Sequence, residues 1–108
     1  MQKKKAQEDN IATMEKTASE QPTPENYLSL SAAYCQTSQF EKGIAAARKA
    51  IALKPDLAGA YINICAAYNQ LGNYAEGKKA GEEAIRLEPN NQLAQNNLKW
   101  SIDHLDKK

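Results

Sequence analysis

The chain has 108 residues, and 14 Lys and Arg residues against 13 Asp and Glu residues give it a formal net charge of +1. Hydrophobic residues make up 42% of the sequence and charged residues 25%, which is typical of one ordinary globular domain. The near-neutral charge argues against nucleic acid as a partner, because phosphate binding needs a basic surface. No run of 18 apolar residues occurs, so we expect no direct membrane insertion.

The cysteine and histidine content restricts the chemistry available to the chain. Cys35 and Cys65 are the only cysteines and have no metal-ligand spacing, and His104 is the only histidine. No Gly-rich phosphate loop, nucleophile elbow or HExxH motif occurs. We therefore predict that the protein is not an enzyme and has neither a metal site nor a cofactor. Free cysteines and the lack of an apolar leader favour the cytoplasm.

Residues 1–23 predict a marginal helix followed by a proline-containing linker. Ile11, Met14 and Ala18 form a weak apolar stripe at i, i+3 and i+7. The segment Gln21-Pro22-Thr23-Pro24 then breaks the helix.

Residues 24–57 contain the next two predicted helices. Helical spacing predicts a helix over 25–37 with one buried stripe, which consists of Tyr27, Leu30, Ser31 and Tyr34. The turn-type pair Ser38-Gln39 follows, and a second run of apolar residues at helical spacing predicts a helix over 41–53. Pro55 lacks an amide hydrogen and closes this segment.

Residues 58–91 repeat the preceding 34 positions without a gap. Identical pairs include Tyr27 with Tyr61, Tyr34 with Tyr68, Gly43 with Gly77, Ala50-Ile51 with Ala84-Ile85, and Pro55 with Pro89. A fixed period of this length indicates stacked units that each contain the same helices. The second copy therefore predicts helices over 59–71 and 75–87.

Residues 92–108 continue the period and predict a fifth helix after the two repeats. Leu98, Ile102 and Leu105 are spaced to cover the flank of the second unit, while polar residues between them face water. Trp100 either covers the end of the core, which we favour, or anchors a partner, because tryptophan is enriched among residues that dominate binding energy. We interpret this segment as a carboxy-terminal capping helix.

The positions that recur in both units resemble the tetratricopeptide repeat, whose pattern is an aromatic residue, a Leu-Gly pair, a Tyr, an Ala, a large aromatic and a closing Pro. The first unit matches with Tyr27, Leu30-Ser31, Tyr34, Gly43, Ala47 and Pro55, and the second with Tyr61, Ile64-Cys65, Tyr68, Gly77, Gly81 and Pro89. The resemblance covers residues 24–91. It implies an all-α, right-handed superhelical solenoid of antiparallel helix pairs, with residues 1–23 as a degenerate half repeat.

Both units depart from the family pattern on their second helix, where Gly43, Gly77 and Gly81 stand in place of larger residues. Either the helices approach each other closely at these positions, or the tyrosines fill the space. A glycine inside a helix costs roughly 1 kcal/mol relative to Ala. We therefore expect the second helix of the second unit, which holds two glycines, to be the softer one.

The resemblance implies a concave groove formed by the first helices of the repeats, and it places the candidate peptide-binding residues on the side opposite the buried stripe. These residues are Leu28, Ala32, Cys35, Gln36, Ile62, Asn63, Ala66, Asn69, Gln70 and Asn97. No charged residue lies between Glu25 and Glu41 or between Asp56 and Glu76. The groove is therefore predicted to be neutral, and its amides either hold a peptide backbone or form a merely solvated face.

The family's clamp for the terminal carboxylate of chaperone peptides uses Lys, Arg and Asn. Only Asn63 fits that pattern, and Asn97 lies where a basic residue is wanted. We therefore do not predict binding of chaperone tails.

The resulting hypothesis is a protein-interaction module that binds a peptide or partner helix of neutral or mixed charge. One alternative is a structural element that forms homo-oligomers through its exposed repeat edges. Another is an appendage of a larger bacterial-type protein that carries a catalytic or membrane domain.

Overall fold

The computed structural model describes residues 2–105, with side chains for residues 10–105. Within residues 2–105 the chain forms helices and no strand. The helices are α1 (Gln2–Glu20), α2 (Pro24–Gln36), α3 (Phe40–Leu53), α4 (Ala58–Gln70), α5 (Tyr74–Leu87) and α6 (Gln92–Leu105). Helices α2 to α5 begin and end within one residue of the predicted positions. α6 begins where the predicted capping helix begins, and residues 106–108 of that prediction lie outside the described residues. The amino-terminal helix, expected to be marginal, spans 19 residues.

The linker before α2 both ends one helix and starts the next. The Thr23 hydroxyl accepts a hydrogen bond from the Asn26 amide at 3.1 Å, so Thr23 caps α2, and Pro24 occupies the first turn. The Asn26 side chain donates to the Gln21 carbonyl at 2.8 Å. These bonds fix the angle at which the chain turns from α1 into α2.

The helices stack as an all-α solenoid, as the resemblance implied. α2 pairs with α3 and α4 pairs with α5, while α1 packs against α2 and α6 packs against both α5 and α4. Through its contact with α2, α1 takes the position of a second helix of a preceding unit. The hydrophobic core between the units is built largely from small residues, with Ala47, Ala50, Ala60 and Cys65 fully buried.

The glycines on the second helices mark close helix approach, which decides between the two alternatives left by the sequence. A Cβ at Gly43 would lie 2.6 Å from the Cys35 sulfur, and a Cβ at Gly77 would lie 2.6 Å from Asn69 Oδ1. At Gly81 a Cβ would lie 3.0 Å from the Leu98 Cβ. The neighbouring helix therefore occupies the missing volume at each position.

The cap at the carboxy-terminal end is less complete than the sequence suggested. Trp100 is 52% exposed and stacks on the His104 ring at 4.1 Å, so about half of its surface is open to solvent. Ile102 is 38% exposed, although Leu98 packs beside Gly81. Among the described helices, none combines the length and hydropathy needed to cross a bilayer.

Candidate functional site

The first helices of the units lie side by side and form a groove with two hollows. Between α2 and α4 there is a hollow of about 390 Å³, and between α4 and α6 there is one of about 240 Å³. Both hollows are lined by Ala66 and Gln70 of α4. The two hollows therefore lie on either side of these two residues, and we call them together the groove.

Six of the ten predicted groove residues line the two hollows. Cys35 and Gln36 line the first, Asn69 and Asn97 line the second, and Ala66 and Gln70 line both. Gln36 and Gln70 are exposed, whereas Ala66 and Asn97 are half-buried. The residues common to both hollows lie on α4, which makes this helix the centre of the groove.

Ile62 lies outside the groove, so its predicted placement is wrong. It is 6% exposed and packs with Ala84 and Ala94. Its counterpart Leu28, which is 34 positions earlier, is half-buried against the core beside Gly59. Leu28 therefore contacts α4, and Ile62 contacts α6 as well as α5. This position on each first helix is covered by the next helix of the stack.

Asn69 lines the second hollow but is not a free amide. It is 6% exposed, its side chain donates to the Asn97 carbonyl at 3.0 Å, and it accepts from the Ser101 hydroxyl at 2.6 Å. Both hydrogen bonds join α4 to α6. Asn69 therefore holds the two walls of the hollow together, which corrects the expectation that it offers hydrogen bonds to a ligand.

Asn63 and Ala32 are half-buried and lie outside the residues that line the two hollows. The Asn63 amide approaches the Ser31 hydroxyl at 3.4 Å, and Ser31 in turn donates to the Gly43 carbonyl at 2.8 Å. Asn63 thus links α4 to the first unit.

Several groove residues were not in the predicted set. Ser38, Phe40 and Ala67 line the first hollow, and Asn96 and Trp100 line the second. Phe40 begins α3 and reaches the groove from a second helix. An aromatic residue directly after a turn, repeated as Tyr74 in the second unit, is the sequence signal that could have indicated it.

The residues that line the groove carry no formal charge. Cys35 and Cys65 are free thiols, and burial raises the pKa of each, although hydrogen bonds to Ser31 and Ser101 respectively act in the opposite direction. Thiols with raised pKa values are poor nucleophiles. No group of three or more His, Cys, Asp or Glu side chains suited to a metal ion occurs in the described part of the chain.

Solved structures with the same fold are tetratricopeptide repeat domains. The first such domain of Spaghetti (RPAP3), bound to the HSP90 peptide SRMEEVD, is 28% identical with a TM-score of 0.88, over 96% of this chain and 83% of that one. The first domain of human RPAP3 is 27% identical with a TM-score of 0.88, over 97% and 84%. The second domain of human RPAP3, in complex with the HSP70 peptide SGPTIEEVD, is 22% identical with a TM-score of 0.84, over 93% and 84%.

No match is found among the curated proteins. The sequence profile described as tetratricopeptide repeat matches residues 24–57 and residues 58–91. These segments coincide with the two 34-residue copies in the sequence, and together they span more than half of the 108 residues. The chain therefore belongs to the tetratricopeptide repeat family, which consists of protein-interaction modules.

Proposed function

We propose that this chain binds a segment of a partner protein in the groove formed by α2, α4 and α6. The observation that carries the proposal is that two neighbouring hollows share Ala66 and Gln70 as lining residues. A row of two adjacent hollows along three helices suits an extended peptide or one face of a helix. A compact small molecule would find neither hollow enclosed.

The groove combines amide groups with an aromatic residue toward each end. Gln36, Gln70, Asn96 and Asn97 each offer donors and an acceptor that match an extended backbone. Phe40 at one end and the half-exposed Trp100 at the other offer apolar contact area. Tryptophan is enriched among residues that dominate binding energy, so we expect Trp100 to be the main anchor.

The charge of the groove favours a partner segment of neutral or mixed charge. Charge complementarity steers binding, and none of the residues that line the two hollows is a lysine or an arginine. The RPAP3 relative binds a peptide with the acidic end EEVD. We propose that this chain instead recognises an internal segment and gains little from a terminal carboxylate.

The test is selection of binding peptides from a displayed random library, followed by titration of synthetic copies with free and amidated carboxyl ends. Ala66→Glu places a long charged side chain at the junction of both hollows and should weaken binding at least about tenfold. Ala75→Glu, at an exposed position on α5, is the matched control and should bind as the native chain does. Amidation should change affinity by less than about twofold, and SRMEEVD should bind more weakly than the selected peptides.

Equal loss of binding in the Ala66→Glu and Ala75→Glu variants would contradict the groove. A strong requirement for the free carboxyl end would contradict the proposed specificity while leaving the groove intact. Circular dichroism of each variant checks that the helices remain folded.

A second candidate function, self-assembly, is favoured by the open flank of α6. A hollow of about 320 Å³ lies there, lined by Ile85, Pro89, Gln95, Leu98, Lys99 and Ile102. A shift of 34 positions maps Leu98 and Ile102 onto Ile64 and Tyr68, whose helix α4 is covered by α5. Light scattering over a range of concentrations tests this candidate: mass should rise toward a dimer in the native chain but not in Ile102→Glu. A constant monomer mass in both would exclude it.

A further inference from the structure

The two units each carry a pair of tyrosines on the face opposite the groove. We call the space over Tyr27 and Tyr34, between α1 and α3, slot 1. The equivalent space over Tyr61 and Tyr68, between α3 and α5, is slot 2. In both slots the tyrosines are seven residues apart, so they lie two helical turns apart on one face of their helix.

In slot 1 the tyrosine rings are covered by cations of the chain itself. The Lys42 ammonium lies 5.8 Å from the centre of the Tyr34 ring, and the Lys49 ammonium lies 5.6 Å from the centre of the Tyr27 ring. Both distances are within the range of cation–π attraction. Lys42 and Lys49 are themselves seven residues apart on α3, so one helix supplies both cations in register with the two rings.

In slot 2 the same positions have the opposite charge. A shift of 34 residues places Glu76 where Lys42 stands and Glu83 where Lys49 stands. Among the described residues, no lysine or arginine lies over the ring of Tyr61 or Tyr68. A cavity of about 590 Å³ remains there. Its lining includes both tyrosines and both glutamates, together with the side chains of Arg48 and Lys79.

The hydroxyl end of each slot is also inverted in charge. In slot 1 the Tyr34 hydroxyl donates to the Glu15 carboxylate of α1. In slot 2 the Tyr68 hydroxyl accepts from Arg48 of α3 at 2.8 Å. Arg48 therefore lines the cavity at the Tyr68 hydroxyl and makes no contact over the ring faces comparable to those of Lys42 and Lys49.

From this inversion we propose that slot 2 binds two lysine side chains of a partner helix, seven residues apart, over Tyr61 and Tyr68 and beside Glu76 and Glu83. The ammonium groups would lie over the tyrosine rings, as those of Lys42 and Lys49 do in slot 1. Slot 1 thus contains, within the chain itself, the lysine–tyrosine contacts that a partner would complete in slot 2. This site lies on the opposite face from the groove and does not depend on the proposed function of the groove.

Two side chains of the chain compete for the glutamates. Lys79 lies 3.3 Å from Glu76, and its side chain is 78% exposed. Arg86 hydrogen-bonds to Glu83, also at the surface. Exposed ion pairs of neighbouring helical turns contribute little, so an incoming ammonium that also gains a ring face can displace them.

The test uses three synthetic helical peptides of about 20 residues, otherwise neutral, with lysine, glutamine or glutamate at two positions seven residues apart. Binding to the full ¹⁵N-labelled chain is followed by amide chemical shifts. The lysine peptide should bind at least about tenfold more tightly than its glutamine twin, and the shifts should cluster on α4 and α5 around slot 2. Equal binding of the lysine and glutamine peptides, or tighter binding of the glutamate peptide, would overturn the proposal.

Variants of the chain separate the slot from its overall charge. Glu76→Lys with Glu83→Lys gives slot 2 the side chains of slot 1 and should reduce binding at least about tenfold. Glu82→Lys with Glu88→Lys adds the same charge at exposed positions outside the cavity and should leave affinity within about twofold. Equal losses in the two pairs would show nonspecific charge attraction and overturn the proposal. If the first pair fails to fold, Glu76→Gln with Glu83→Gln should reduce binding about fivefold.

Lys79→Ala gives a prediction with the opposite sign. Removing this competing ammonium frees Glu76, so the lysine peptide should bind about threefold more tightly. A weaker complex would mean that Lys79 contributes to recognition of an anion, which contradicts the proposed ligand.

Discussion

Tyr27 and Tyr34 on α2 hold the same positions as Tyr61 and Tyr68 on α4, yet the surroundings of the two pairs differ. Tyr34 is 8% exposed, with Glu15 at its hydroxyl and Lys42 over its ring, whereas Tyr68 is half-buried beside an open cavity. The helix arrangement that both units share fixes where the rings lie. The residues on the neighbouring second helices decide whether the chain covers the rings itself or leaves them open.

The buried residues that determine the fold are shared by the two units, whereas the surface residues differ. Ala50 and its counterpart Ala84 are fully buried, and Gly43 and Gly77 are both closely packed. The buried positions at the helix contacts are therefore equivalent in the two units. The surface positions around these contacts differ between the units. Substitutions that exchange residues between the units, or remove them, can show how independent the two units are.

The largest difference is expected at the close-packed glycines. Gly77→Ala should cost about 3 kcal/mol, because its Cβ would meet Asn69, which two hydrogen bonds to α6 hold in place. Gly43→Ala should cost about 1 kcal/mol, because the Cys35 side chain in its way is only half-buried and makes one hydrogen bond, to Ser31. Urea unfolding of both variants measures the two losses. Equal losses would show that the polar link to α6 does not stiffen the second unit.

The contacts of Tyr34 in slot 1 should make the stability of the chain fall at high pH. Burial, followed by the hydrogen bond to Glu15 and the charge of that carboxylate, raises the pKa of Tyr34 from 10.0 to about 12. A phenol with a raised pKa keeps its contribution below pH 10 and loses it as the pH rises toward 12. Over this pH range, the free energy of unfolding should fall by about 2 kcal/mol more in the native chain than in Tyr34→Phe. Parallel unfolding curves of the two proteins at each pH would contradict the contact.

The smallest effect is expected at the turns inside the two units. Ser38 has φ 63° and its counterpart Gly72 has φ 79°, so both turns need the left-handed conformation that glycine adopts without strain. Ser38→Gly should stabilise the chain by about 1 kcal/mol, and Gly72→Ser should destabilise it by a similar amount. Thermal unfolding of the two variants measures both effects. A loss of stability in Ser38→Gly would mean that the serine side chain makes a compensating contact.

The helices and the buried tyrosine stripe could be predicted because both depend on periodicities within the sequence. A spacing of 3.6 residues identifies each helix, and the 34-residue period identifies the units. Thr23 and Pro24 at the start of α2 act over a few residues, and the break between α1 and α2 was predicted for the same reason.

The candidate site was less predictable because the exposure of a residue on α4 depends on several neighbouring helices. Ile62 and Asn69 lie outside the predicted buried stripe, but Ile62 packs with Ala84 of α5 and Ala94 of α6. Asn69 lies against Gly77 of α5 and is hydrogen-bonded to α6. Trp100 was expected to cover the end of the core, whereas the structure places it in the lining of the second hollow. The charge inversion between the slots was visible in the sequence as Lys42 and Lys49 against Glu76 and Glu83. Its meaning required the ring contacts.

The most direct test of groove binding is chemical-shift mapping of a library-selected peptide on the ¹⁵N-labelled chain. We predict that the largest shifts fall on Gln36, Ala66, Gln70 and Asn97, along both hollows, and that Ala66→Glu abolishes them. Shifts confined to the open flank around Ile85 and Ile102, unchanged by Ala66→Glu, would contradict the groove as the binding site.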